Sequence, residues 1–357
     1  MLLCQRHPVL GGRIRRDKDS YILDLRSSRP PPFVAGGGSL ATVLRAAFSS
    51  WDPEQALSRF VLVQDGRRGY VGFRPDHSVA DASSTLVMLT DLWTIYVQIV
   101  QGGDPYLPPS RAMPASPDAL LRGWSASQGE RQPVIRDAHE DQGYVAMTER
   151  IWLSVEETAR VVTGAKAKGM TVHALVCGAI FVAHARQQRH QWPFACISTV
   201  DLRTRTVPPV SPTDTTNLIG FHRIVIQAGA NLSAPMMGKR IGADLAHCIA
   251  DRSLYVPTSS LELPFLKSVQ GVEWQRLNIC VNNWGIVPNF VQPPGVDWLD
   301  FRGIWPDPIK TSFSGYLVYT FNGRLSIDCH YPGGLFGRDE VKEMASEVVD
   351  ELEVATR

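Results

Sequence analysis

Arg74-Pro75-Asp76-His77-Ser78-Val79-Ala80-Asp81-Ala82-Ser83-Ser84 sets a histidine and a carboxylate four residues apart, between an expected strand and an expected helix. Upstream, Arg59-Phe60-Val61-Leu62-Val63-Gln64 and Gly69-Tyr70-Val71-Gly72-Phe73 are short β-branched and aromatic runs. Asp65-Gly66-Arg67-Arg68 between them predicts a hairpin. Downstream, Leu86, Leu89, Trp93, Tyr96, Val97 and Val100 recur at helical spacing, and Gly102-Gly103 supplies a stop. His77 therefore falls where a strand ends and a helix has just begun. Such a place fixes a side chain while leaving it reachable, which suits a general base.

The rest of the chain bounds what that histidine can serve. A length of 357 residues, 44% of them hydrophobic and 20% charged, buries a sizeable core and fits two domains of roughly 150 residues each. A net charge of +1 gives no electrostatic reason to expect nucleic acid as a partner. The six cysteines, Cys4, Cys177, Cys196, Cys248, Cys280 and Cys329, are scattered without a C-x-x-C pair, several of them in apolar segments, and this predicts a reducing, cytoplasmic setting. Met1 to Gly12 lacks the apolar core of a signal peptide, and no uninterrupted apolar run is long enough to span a bilayer.

Met1 to Leu10 reads as the tail of a helix, with His7 its end residue before Pro8, running into strands at Arg13-Ile14 and Tyr21-Ile22-Leu23. Arg29-Pro30-Pro31-Pro32 and Gly36-Gly37-Gly38 make residues 27–40 a loop. A Pro-, Ser- and charge-rich region divides the chain into 1–104, a connection over 105–145 with a short helix near Leu120 to Trp124, and 146–357. The second half opens with a strand at Thr148 to Leu153. Ser154-Val155-Glu156-Glu157 is a capping box for a helix to about Lys168, stopped by Gly169. Thr171 caps a second helix with almost no polar face before Gln187, which makes it a core element. Strands follow near 194–200, 219–228 and 275–282, helices near 233–254 and 338–355, and a hairpin over 312–330 turning at Asn322-Gly323. Irregular alternation without repeats predicts an α/β or α+β fold with mixed sheets.

A histidine at the mouth of a pocket can take the proton of a hydroxyl as it attacks a thioester carbonyl, provided its ring is held in one tautomer. Asp81 can hold it directly, or can lock the loop through an arginine ion pair, and Arg203 is the candidate partner. Asn282-Asn283-Trp284-Gly285 reads as a strand-ending turn with its Trp in the core, so Asn283, Trp284 and Gly285 are site-adjacent candidates only. His173, His184, His222, His247 and His330 read as packing or surface residues, no His/Cys cluster has metal-ligand spacing, and Gly36-Gly37-Gly38 is not a phosphate loop.

Several blocks in order resemble one family: His7-Pro8-Val9-Leu10, His77-Ser78-Val79-Ala80-Asp81, Arg150-Ile151-Trp152-Leu153-Ser154 and Thr171-Val172-His173-Ala174. Val200-Asp201-Leu202-Arg203, then Pro208-Pro209-Val210-Ser211-Pro212-Thr213 and Thr216-Asn217-Leu218-Ile219-Gly220, complete the set. Together they resemble the mycobacterial polyketide-associated acyltransferases of the phthiocerol/phthiodiolone dimycocerosyl transferase family, within the superfamily of chloramphenicol acetyltransferase and condensation domains. The resemblance implies two chloramphenicol-acetyltransferase-like subdomains with a channel between them. It also implies an opening strand and helix, ahead of His7, that are missing from this sequence. The implied reaction is transfer of an acyl group from a thioester of coenzyme A or an acyl carrier protein, or polyketide synthase, to a hydroxyl of a hydrophobic lipid or polyketide-type acceptor. His77 is then the base, Asp81 the structural partner of an arginine, and neither cofactor nor metal is needed. The alternative is a truncated, non-catalytic homologue that only binds a carrier protein or partner. The sequence departs from the family motif at Asp76, where a second histidine is usual, and at Ala82, where glycine is usual.

Overall fold

The expected hairpin is formed by β4 (Ser58–Asp65) and β5 (Arg68–Pro75), antiparallel and turning through Gly66 at φ +57°. The computed structural model describes residues 1–18, 20–25, 29–40, 52–106, 109, 113–121, 124, 147–187, 193–227, 231–254, 278–304, 314–331 and 336–357. Ahead of the hairpin come α1 (Leu2–Arg6), a 3-10 turn (Pro8–Gly11), β1 (Arg13–Asp17), β2 (Ser20–Asp24) and β3 (Phe33–Gly37). β1 and β2 form an antiparallel ribbon, while β3 lies parallel to β4, giving a mixed three-stranded sheet in the order β3-β4-β5. The expected loop over 27–40 is therefore corrected: Phe33 to Gly37 is an edge strand. Every residue in it is exposed, so no buried face imposes the alternation that marks a strand in sequence.

α2 (Ala82–Val100) follows the hairpin, and α3 (Pro117–Leu120) is a single turn. The short helix expected at Leu120 to Trp124 lies earlier because Ser116 caps it, accepting the Ala119 N–H at 3.3 Å, with Pro117 in the first turn. Most of the expected connection over 105–145 lies outside the described residues.

The second body of structure is one six-stranded sheet in the order β6-β11-β10-β9-β7-β8, comprising β6 (Met147–Trp152), β7 (Pro193–Asp201), β8 (Ile219–Gln227), β9 (Asn278–Ile286), β10 (Ser314–Phe321) and β11 (Arg324–Tyr331). β9 runs parallel to both β7 and β10 and the remaining pairs are antiparallel, so this sheet too is mixed. Its helices are α4 (Val155–Ala167), α5 (Val172–Gln187), α6 (Ala234–Ala250) and α7 (Arg338–Thr356). α4 starts at the Ser154/Glu157 capping box and ends before Gly169 at φ +67°. Every residue of α5 from Ala174 to Ala185 is buried, which explains its lack of a polar face. α5 and α6 touch backbone to backbone: a Cβ at Gly178 would lie 2.1 Å from the Ala234 carbonyl oxygen.

By contacts the chain forms two compact units, Met1–Leu120 with Leu202–Leu218 and Pro288–Leu299, and Leu121–Asp201 with Ile219–Val287 and Asp300–Arg357. The linear division at 104 and 146 carries no sign that two later segments belong to the first unit. By length and composition α2 is long and apolar enough to cross a bilayer, although it is not an uninterrupted apolar run of the kind the sequence lacks. Ser83, Ser84, Thr85, Thr90, Asp91 and Thr94 interrupt it. Met88 and Ile95 pack in the first unit's core with Leu3, Val9, Leu10 and Leu57, and Asp91 pairs with Arg6 and His7.

Candidate active site

His77 lies in a turn between the end of β5 at Pro75 and the start of α2, rather than on the helix itself. Asp76 builds that turn. Its N–H donates to the Leu57 carbonyl (2.7 Å), its carbonyl accepts the Val79 N–H (3.1 Å), and its Oδ1 accepts the Ser78 N–H and hydroxyl (3.0 and 2.6 Å). These are the bonds of an Asx-type turn. Val79 and Ala80 then bury themselves in the first unit's core, which pins the turn from below.

The ring of His77 is held by the backbone. Nδ1 is 2.8 Å from the Ala80 carbonyl oxygen. A carbonyl can only accept, so Nδ1 carries a proton, and in the neutral ring the lone pair is then on Nε2. Asn217 Nδ2 donates to the His77 carbonyl at 2.7 Å, tying the same residue to the loop between β7 and β8.

Asp81 does not hold the ring. It is the N-cap of α2, and its Oδ1 accepts the Ser84 N–H (3.0 Å) while Ser84 Oγ accepts the Asp81 N–H (3.1 Å), a reciprocal box. Its Oδ2 accepts from Arg203 Nη1 at 2.5 Å and from the Leu218 N–H at 3.0 Å. Arg203 Nη2 donates to the Thr216 carbonyl at 2.6 Å. Of the two roles open to Asp81, locking the loop through an arginine is the one its contacts describe. The pair is fully buried, Asp81 at 3% and Arg203 at 1% exposure. A buried charge is tolerated only with such a partner and further hydrogen bonds.

Ala82 is the first residue of α2 and is not among the described residues with positive φ, so a side chain there carries no backbone strain. Asn283, Trp284 and Gly285 belong to the other unit, within β9. The strand continues to Ile286, which corrects the expected strand-ending turn. Val318 pairs with Asn283 and Tyr319 with Gly285, so Trp284 is the extra residue of a bulge, and Gly285 takes φ +71°. Trp284 packs edge-on against Phe301, with centroids 6.1 Å apart.

Sequence reasoning assigned no role to Asn217, the Ala80 carbonyl or Ser84. Only Ser84 had a local signal, its position three residues after Asp81. Reading His7 as a plain helix end also understates it. Its Nε2 is 2.7 Å from Asp91 Oδ2 and its Nδ1 3.3 Å from Thr215 Oγ1. Half-burial pushes the Asp91 carboxyl up, but the hydrogen bond and charge of His7 and the charge of Arg6 hold it below the usual carboxylate range. Together they fasten Thr215 beside α1.

A family model described as phthiocerol/phthiodiolone dimycocerosyl transferase C-terminus matches residues 142–330, more than half of the chain. A phthiocerol/phthiodiolone dimycocerosyl transferase of Mycobacterium bovis (strain BCG / Pasteur 1173P2) is 25% identical over 275 residues, covering 71% of this chain and 64% of that protein. The chain thus spans just under two thirds of that relative's length. Among solved structures, polyketide synthase associated protein 5 from Mycobacterium tuberculosis superposes with a TM-score of 0.70 at 20% identity, over 98% of this chain and 87% of that one. The epimerization domain from the third module of tyrocidine synthetase B gives 0.68 at 16% identity, over 99% and 88%. At such identities the likeness is one of fold.

Proposed function

This chain belongs to the phthiocerol/phthiodiolone dimycocerosyl transferase family, and from that premise we propose that it is an acyltransferase making esters. The donor is an acyl thioester of coenzyme A or of a carrier protein. The acceptor is a hydroxyl of a hydrophobic, lipid or polyketide-type alcohol, in keeping with the phthiocerol and phthiodiolone in the relatives' name. The carrier domain of a polyketide synthase is the partner that the name of the structural neighbour favours. A reducing, cytoplasmic setting belongs to the same proposal, supported by six free thiols, five of them buried.

The observation that supports this reading is the bond from His77 Nδ1–H to the Ala80 carbonyl at 2.8 Å, which leaves Nε2 as a base. As the alcohol oxygen attacks the thioester carbonyl, its proton passes to Nε2 and a tetrahedral oxyanion forms. Collapse re-forms the carbonyl, breaks the C–S bond and returns the Nε2 proton to the departing thiolate. The products are one ester and one thiol, the enzyme ends as it began, and no acyl-enzyme intermediate is needed. Asp81 and Arg203 act on this step only by holding the turn in place.

The test incubates the purified chain with acyl-coenzyme A and acyl-carrier-protein donors of graded length and a panel of alcohols, reading ester by mass spectrometry and thiol by a colorimetric reagent. The proposal expects ester and thiol in equal amounts with at least one donor and alcohol pair. Thiol release without ester, or no turnover of any pair, overturns it.

A further inference from the structure

Histidine, aspartate and cysteine meet at one further place, in the second unit and outside the acyl-transfer machinery. α6 presents Asp244 and Cys248 one turn apart, β8 presents His222, and one ligating atom from each lies within 4.8 Å of the others. His222 Nε2 already stands 2.7 Å from Asp244 Oδ2. Local spacing gave no sign of this, because the histidine reaches the pair across 22 residues. The expectation that no His/Cys cluster has metal-ligand spacing concerned neighbours in sequence, and this grouping arises only through the fold.

Two features favour a metal over a plain histidine–carboxylate bond. First, the donors are an imidazole, a thiol and a carboxylate, the mixed N, S and O set of zinc, whereas magnesium and calcium favour oxygen ligands. Zinc bonds of about 2.0 to 2.3 Å put tetrahedral ligand atoms roughly 3.2 to 3.8 Å apart. To reach that range the 2.7 Å His222–Asp244 contact has to open and any pair still near 4.8 Å has to close. Second, His222 is 1% exposed, and its Nε2 faces the other two donors from a fixed, buried ring. One hydrogen bond to a half-exposed carboxylate offsets little of the penalty for burying that ring, and a metal–nitrogen bond offsets more.

We propose that His222, Asp244 and Cys248 bind a zinc-class divalent cation, with water completing the tetrahedron on the side where Asp244 and Cys248 are half-exposed. The ion clamps α6 to β8, which among the described residues is an edge strand paired only with β7. The role is a staple within the second unit and does not depend on the acyl-transfer reading.

The probes are Zn2+ and Co2+, added to the full chain after chelator treatment and desalting. One equivalent of Zn2+ is expected to bind in competition with a chromophoric chelator and to raise the melting temperature. Co2+ is expected to show a thiolate charge-transfer band and the intense visible bands of a tetrahedral site. Cys248→Ser should abolish the charge-transfer band, and Cys248→Ser and Asp244→Asn should each weaken Zn2+ binding at least about tenfold. Both positions are half-exposed, so circular dichroism should match the native chain. His247→Ala, an exposed neighbour on the same helix, should change nothing. No uptake of Zn2+, uptake unchanged in Cys248→Ser and Asp244→Asn, or an equal loss in His247→Ala overturns the proposal.

Discussion

Replacing Asp81 by asparagine removes one charge and keeps the shape. The Asn oxygen can still cap the Ser84 N–H, but its amide replaces the carboxylate oxygen that accepts from Arg203 and Leu218. Arg203, at 1% exposure, then loses the charge of Asp81. Breaking such a pair from one side costs about 3 to 5 kcal/mol. Asp81→Ala loses the cap as well, about 1 kcal/mol more. Arg203→Met strands the carboxylate and frees the Thr216 carbonyl, a loss of similar size. If the two groups are one unit, the double variant Asp81→Asn/Arg203→Met costs less than the sum of the singles by about 2 kcal/mol. Urea unfolding, with amide exchange of peptides over residues 76–88 as the reporter of the first unit, measures each corner of the cycle. Additivity within about 0.5 kcal/mol, or a cost below about 1 kcal/mol for Asp81→Asn, would refute the idea that this pair holds the His77 turn.

Asn217→Ala removes the 2.7 Å bond to the His77 carbonyl; stability should fall by about 1 kcal/mol and kcat for ester formation about tenfold with KM little changed, and an unchanged kcat would show that His77 is held without it. Gly178→Ala puts a methyl group 2.1 Å from the Ala234 carbonyl oxygen and 2.7 Å from the Gly238 nitrogen, so α5 and α6 must part. Its cost should exceed about 2 kcal/mol, read as a lowered melting temperature, and a native-like melt would contradict the close approach. Burial pushes His184 down to about 3 and His330 down to about 4. Below the unfolded value of about 6.5 the unfolded chain binds more protons than the folded one, so this stability is complete above pH 6.5 and is lost as pH falls towards 3. Denaturation midpoints across that window should show the slope, and His184→Gln should flatten it; an identical slope would assign the acid sensitivity elsewhere.

Local rules made much of the fold legible. The 59–73 hairpin, the Ser154/Glu157 box and the Asn322-Gly323 turn, with φ of +48° and +74°, are properties of a few adjacent residues. What failed depended on distant pairing. Phe33 to Gly37 is a strand only because β4 is beside it, and Trp284 reads as a turn residue until β10 shows it to be a bulge. The site divides in the same way. His77 and Asp81 follow from neighbours in sequence. Arg203, 122 residues away, was reached from the need of a buried carboxylate for a cation and from the family resemblance. Asn217, 140 residues from His77, had no comparable electrostatic demand to point to it. Nor did any rule predict that a backbone carbonyl, rather than Asp81, would set the tautomer.

His77 as the base is tested most directly by kcat/KM for ester formation in His77→Ala, beside the native chain with circular dichroism and melting temperature matched. With His77 as the proposed acceptor of the alcohol proton, its loss predicts a fall of about a hundredfold to ten-thousandfold. A rate equal to the native one, with the fold intact, would contradict the account.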